Sequence, residues 1–131
     1  MQVDFEDTGR YLVANVSGNY SLAGMRTVIE RLADESARRK IERALVDVSA
    51  MAGNASDSDR FAYAEYAALM LGPILRKCAA CAGAGQRLVP YTGVVAQNRG
   101  LSLRVFRDRV EAIRWLIADA HHEPLEAART K

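Results

Sequence analysis

Cysteine is scarce in this chain: Cys78 and Cys81 are the only two among 131 residues. Disulfide-stapled scaffolds use roughly four or more, so an apolar core rather than covalent cross-links has to hold the fold. Charge of one sign is also missing. Eighteen Lys and Arg offset sixteen Asp and Glu, leaving a net charge of +2. That is too mild for nucleic acid as a partner, where a strongly basic patch is expected. A long hydrophobic run is absent as well. The most apolar stretch, Phe61 to Cys81, is interrupted by Glu65, Arg76 and Lys77. Its longest uncharged run, Tyr66 to Leu75, falls well short of the roughly 20 residues that a membrane span needs, so no integral membrane segment is expected. The opening residues Met1-Gln2-Val3-Asp4-Phe5-Glu6 have neither the basic start nor the apolar run of a secretory signal. A cytoplasmic location is the expectation.

What is present is an ordinary globular balance, 50% hydrophobic and 26% charged, in a length that suits one domain with a buried core. That domain is expected over residues 1–119, with a flexible tail over 120–131. Val3 and Phe5 alternate with Asp4 and Glu6, as in a strand with one wet face. Asp7-Thr8-Gly9 signals a turn, and Tyr11 to Val16 a second strand. Ser21 can cap a helix whose apolar face is Met25, Val28, Ile29 and Leu32. Ala44-Leu45-Val46-Asp47-Val48 reads as a central strand covered on both faces. After a loop of small and polar residues, Ser49 to Ser58, the apolar pattern predicts a helix over 59–82. It should kink or restart at Pro73 and stop at Gly83-Ala84-Gly85.

Leu88 to Ala96 reads as a strand, firmest at Val94-Val95-Ala96 and loosened by Pro90 and Gly93. Leu103, Val105 and Phe106 then form a last strand running directly into a helix. Asp108 is placed to cap that helix, with Glu111 three residues on as its capping-box partner. Ala112, Ile113, Leu116 and the single tryptophan, Trp115, follow at helical spacing. The order β-β-α-β-α-β-β-α predicts an α/β domain, with a mixed, mostly parallel sheet of about five strands flanked by helices.

No set of residues names a reaction. Cys78-Ala79-Ala80-Cys81 has redox-motif spacing, but a reactive thiolate sits at a helix N-terminus and these residues fall near a predicted C-terminus. The plainer reading is two small packing residues on one helix face. A structural zinc site would need four ligands, and only His121 and His122 could complete one. Those histidines read more simply as polar residues at a helix end. Gly83-Ala84-Gly85 lacks the preceding strand and third glycine of a dinucleotide loop. No base can be placed beside a nucleophile. The expectation is a protein that is not an enzyme and uses no cofactor or metal.

Arg99, Arg104, Arg107, Arg109 and Arg114 crowd one segment. Asn98-Arg99-Gly100 follows a predicted strand, and ligands of open α/β sheets bind beyond the carboxyl ends of the strands. Arg60, Asn98 and Arg99 are therefore candidates for holding an anion, against the alternative of a solvated basic edge. Phe61, Tyr63, Tyr66, Leu69, Met70 and Leu71 go almost all round their helix, which implies deep burial or a partner. Tyr63, Tyr66 and Met70 are the candidate interface, for a homodimer or another protein, or else one wall of an apolar pocket.

The order of elements, the strand ending in Leu45-Val46-Asp47-Val48-Ser49, the loop and helix after it, and the segment Arg104-Val105-Phe106-Arg107-Asp108 through Leu116 together resemble the STAS and SpoIIAA-like family. These are bacterial anti-sigma-factor antagonists and their relatives, and the SpoIIAA-like subgroup also resembles lipid-binding CRAL-TRIO domains. In true antagonists a serine at the start of the helix after this strand is phosphorylated, which releases the partner. The resemblance makes Ser56 and Ser58 the candidate phosphoacceptors, in a version of the loop that lacks the usual glycine and the apolar residue after it. Asp57 and Asp59 would repel an added phosphate, and the same residues can serve simply as helix caps and first-turn acids. The resemblance implies a STAS-like regulatory or protein-interaction domain. Its alternative is a binder of a small apolar or anionic ligand, lipid-like or nucleotide-like, with the 59–82 helix as a lid.

Overall fold

The turn at Asp7-Thr8-Gly9 forms because glycine tolerates the positive φ it requires, here +89°. The Gly9 N–H donates to Asp7 Oδ1 at 2.8 Å and the Thr8 hydroxyl to the Tyr11 carbonyl at 2.8 Å. This turn joins β1 (Gln2–Asp7) to β2 (Leu12–Asn19) as an antiparallel pair, with Val3 opposite Val16 and Phe5 opposite Ala14. The computed structural model describes residues 1–86 and 91–118. The predicted tail over 120–131 with His121 and His122, the domain end at 119, and Leu88 to Pro90 lie outside the described residues.

Helix α1 (Leu22–Arg39) starts where the Ser21 hydroxyl accepts from the Gly24 N–H, and it buries Met25, Val28, Ile29, Leu32, Ala33 and Ser36. Strand β3 (Arg43–Ala52) follows at the centre of the sheet, its Ala44 and Leu45 wholly buried. Helix α2 (Asp57–Leu71) is capped by Ser56, whose Oγ accepts from the Asp59 N–H at 3.1 Å. Strand β4 (Lys77–Cys81), helix α3 (Tyr91–Asn98), strand β5 (Leu103–Phe106) and helix α4 (Arg109–Ile117) follow among the described residues, with Asp108 capping α4 as its sequence predicts. Glu111 lies in that first turn.

Two predicted elements change type. The helix expected over 59–82 stops at Leu71, and Lys77–Cys81 is a buried strand. Gly72 and Pro73 end the helix: proline lacks the N–H a further turn needs and clashes with the carbonyl four residues back. Periodicity cannot separate a short buried strand from a helix in so small a run as Cys-Ala-Ala-Cys. The strand expected over 88–96 gives way to α3, and Val94-Val95-Ala96 is helical despite its β-branched pair. Packing overrides propensity there. A Cβ on Gly93 would lie 2.7 Å from the Leu103 carbonyl oxygen, so glycine is what lets α3 sit against β5. The element order is therefore β-β-α-β-α-β-α-β-α, and the sheet is still mixed, mostly parallel and five-stranded.

The strands lie in the order 1-2-3-4-5, and only the β1–β2 pair is antiparallel. Each crossover from β2 onward steps the same way along the sheet. Crossovers of this kind are right-handed, so α1, α2 and α3 must share one face, and the larger core cluster lies between them and the sheet. Helix α4 covers the other face with Ala112 and Leu116, over Val13, Leu45, Ala79 and Cys81. The ring centroids of Phe106 and Trp115 lie 5.7 Å apart beside them. Lys77, buried, donates to the Trp115 and Ala118 carbonyls at 2.9 and 3.2 Å, and its Nζ stands 4.8 Å from the Trp115 ring centre. It thereby places a positive charge at the C-terminal end of α4, where the helix dipole favours one.

Candidate functional site

A cavity of about 130 Å³ lies between the sheet and helices α1 and α2. It forms because residues facing one another there are small: Ala64 and Ala67 on α2, Cys78 and Ala80 on β4. Met25, Val28, Ile29 and Leu32 of α1 close one side, and Leu71, Leu101 and Leu103 surround the end nearest the strand N-termini. Polar lining gathers at the opposite end, beyond the strand C-termini, where Asn54, Arg60, Tyr63 and Gln86 come in. The cavity is thus apolar along its body and polar at one end.

The polar end is built by the first turn of α2 and two loops. Tyr20 donates its hydroxyl to Asp59 Oδ2 at 3.0 Å, and its ring lies 6.4 Å from that of Tyr63. Burial and the bond to Asp59 raise the Tyr20 phenol above its ordinary range, so it stays a donor. Gln86 pins its loop to the end of β3: its side-chain amide donates to the Val48 and Met51 carbonyls and its Oε1 accepts from the Gly83 N–H. Arg107 clasps the same loop, donating to the Gly83 carbonyl at 2.6 Å and the Gln86 carbonyl at 3.0 Å. Arg60 is only 5% exposed, and its Nη1 is buried without a hydrogen-bond partner.

On the other face, Asp47 accepts from the Ser49 hydroxyl at 2.6 Å, the Ser49 N–H at 2.9 Å and Arg109 Nη1 at 2.5 Å. Burial alone would raise this carboxyl, but the donors from Ser49 and Arg109 outweigh burial and hold it below the usual range. Arg109 also reaches Asn15 Oδ1 at 3.5 Å. Among the described residues no cluster of three His, Cys, Asp or Glu is placed to hold a metal ion.

The anion candidates are not gathered at one place. Arg60 lines the cavity, whereas Arg99 pairs with Glu65 at 3.0 Å and lies over the Phe61 ring. Asn98 ends α3, so the turn after it follows a helix and leads into β5. It therefore sits at the amino ends of the parallel strands, opposite the ligand crevice, and the change of element type at 91–98 removes the basis for that grouping. Ser56 is the α2 cap; Ser58 is exposed, its Oγ 3.5 Å from that of Ser56.

Tyr63 lines the cavity, Met70 packs against the core, and Tyr66 donates to Glu30 with Arg26 over its ring. Among the described residues, the large apolar side chains that face outward are Phe61 and Leu69 on α2, Val94 on α3 and Val110 on α4. Both cysteines are free and buried, but on opposite faces of β4 rather than one face of a helix: Cys78 toward α1 and α2, Cys81 toward α4. Burial pushes the Cys78 thiol up to about 12 and raises that of Cys81 as well, against the depressed value that redox chemistry needs.

The sequence points to Arg60 as an anion candidate and to an apolar pocket beside its helix, but neither the lining of the cavity nor the Asp47–Arg109 pair is legible in it. The signal nearest to them in the sequence is the recurrence of alanine on two segments that end up facing each other.

No family model and no curated protein matches this chain. Among solved structures it is similar to an uncharacterized protein of the DUF3478 family from Shewanella loihica PV-4, which has a SpoIIAA-like fold. The two are 20% identical with a TM-score of 0.55, over 88% of this chain and 92% of that one. With five strands in sequential order, three helices on one face and one on the other among the described residues, the chain has a SpoIIAA-like fold.

Proposed function

We propose that this protein is a non-enzymatic carrier or receptor for a small apolar molecule held between the sheet and α2. The observation that carries this reading is the cavity of about 130 Å³, apolar along most of its length. Dry cavities of roughly 150 Å³ take up benzene, whereas drug-sized ligands need at least about 300 Å³. A ligand of one ring or a short chain is the match, unless α2 moves outward as a lid. Benzene is the first probe. Its titration should shift the methyl NMR signals of Met25, Ile29, Leu32 and Leu71, and Ala67→Leu, which fills the space, should abolish the shifts. Unshifted methyls in the wild-type protein would remove the reading.

The regulatory alternative has one observation in its favour. Phe61, Leu69 and Val94 are 42%, 71% and 55% exposed on neighbouring helices, which suits a protein partner or a second copy. If the chain self-associates there, Leu69→Glu should lower the mass seen by light scattering. A phosphoswitch at Ser56 has less support, because that hydroxyl already caps α2 and a phosphate would sit beside Asp57 and Asp59.

A further inference from the structure

We infer that the natural ligand of this cavity is a small amphipathic monocarboxylate whose head is received by Arg60. The inference rests on the carrier reading and adds the chemical class of the ligand. Buried donors in native proteins are almost always satisfied, yet Arg60 Nη1 is buried with no hydrogen-bond partner. The carboxylate paired with it, Asp57 Oδ1, stands 3.7 Å away, too far for a hydrogen bond, on a side chain that is 66% exposed. A guanidinium offers its N–H groups in a planar fork that fits a carboxylate bidentately, and a ligand carboxylate would supply the missing acceptor.

The polarity of the cavity sets the ligand's direction. Arg60 lies at the polar end, and Leu71 and Leu101 lie at the apolar end, so the head meets Arg60 and the body points toward the leucines. The neighbouring amide cannot take the head, since Gln86 is committed to Val48, Met51 and Gly83. Among the described residues that line the cavity, Arg60 is the only charged one. One cation suits a monoanion, and no second cation among the described lining residues stands ready for the further charge of a dicarboxylate or a nucleotide phosphate. A volume of about 130 Å³ admits a single ring or a chain of about six carbons.

Phenylacetate and phenylacetamide have nearly the same shape and differ in charge, so calorimetric titration of the pair isolates the head group. The acid should bind at least about tenfold more tightly than the amide, as expected for a charge-assisted hydrogen bond. Arg60→Met should bring the two within about threefold of each other, and Arg60→Lys should restore part of the preference. Should Arg60→Met fail to fold, the wild-type comparison and Arg60→Lys decide. Equal binding of acid and amide by the wild type, a preference that survives in Arg60→Met, or binding of benzene but of neither phenyl compound would each overturn the carboxylate assignment and leave the carrier reading standing. Failure of benzene as well would overturn both.

Discussion

A carboxyl in the position of Asp47 is pulled two ways: burial favours the neutral form, and three donors favour the ion. The donors win, so its native pKa lies below its unfolded one. Its contribution to stability is then complete above the ordinary carboxylate range and is lost as pH falls through the native value. Asp47→Asn should cost about 2 kcal/mol at neutral pH. The gap from wild type should close as pH drops below about 4, which urea midpoints measured from pH 7 to pH 3 can follow; a gap independent of pH would contradict the account. The two thiols give a second check at this scale. Both are buried with raised pKa values, so iodoacetamide at pH 8 should label neither in the folded protein and both in urea. Nothing in the Cys-x-x-Cys spacing reveals that they face opposite ways; three residues apart share a face on a helix and oppose each other on a strand.

At the level of elements, what could be read from sequence depended on whether a segment carries its own signals. Helix α4 has its cap, its first-turn acid and its periodic apolar face within a few residues, and it was legible. Strand β4 and helix α3 have no such signals. Lys77-Cys-Ala-Ala-Cys81 becomes a strand because β3 and β5 lie on either side of it, and Tyr91–Asn98 becomes a helix because Gly93 allows close approach to β5. Both outcomes are decided by partners outside the segment itself. Two substitutions test the signals that do act locally. Ser56→Ala should destabilise the protein by about 1 kcal/mol through loss of the α2 cap, whereas Ser58→Ala on the exposed turn should change it by less than about 0.5 kcal/mol; chemical denaturation separates the two. Lys77→Met should cost about 2 kcal/mol, because the Trp115 and Ala118 carbonyls lose a charged donor. The same measurement checks it, and an unchanged midpoint would mean that water replaces the ammonium.

For the molecule as a whole, the cavity is the least economical feature, and its extent is harder to foresee than its place beside α2. A void is made of atoms that are missing, and alanine in a core looks the same in sequence whether a neighbour fills the space or not. Leaving a partly open space of about 130 Å³ unfilled forgoes at most roughly 3 kcal/mol of packing, set against the 5–15 kcal/mol, roughly, that keeps a domain folded. Ala67→Leu should recover about 1 kcal/mol of it, seen as a rise in Tm of roughly 3–5 °C, while abolishing uptake of benzene. Stabilisation together with loss of binding is what a functional void predicts; destabilisation would mean that the space is too narrow for the added carbons. No helix of the described residues is long and apolar enough to cross a membrane.

The strand order 1-2-3-4-5 has a consequence for how the chain is made. Each new strand is added to the edge left by the one before it, so none has to be inserted between two that are already paired. As the polypeptide leaves the ribosome from its N-terminus, the hairpin can form first and each later strand finds its neighbour already in place. The apolar end of the space under α2 is complete only when Leu101 and β5, with Leu103, take their places there. A hydrophobic compound present during synthesis therefore meets an open site until the last strand arrives.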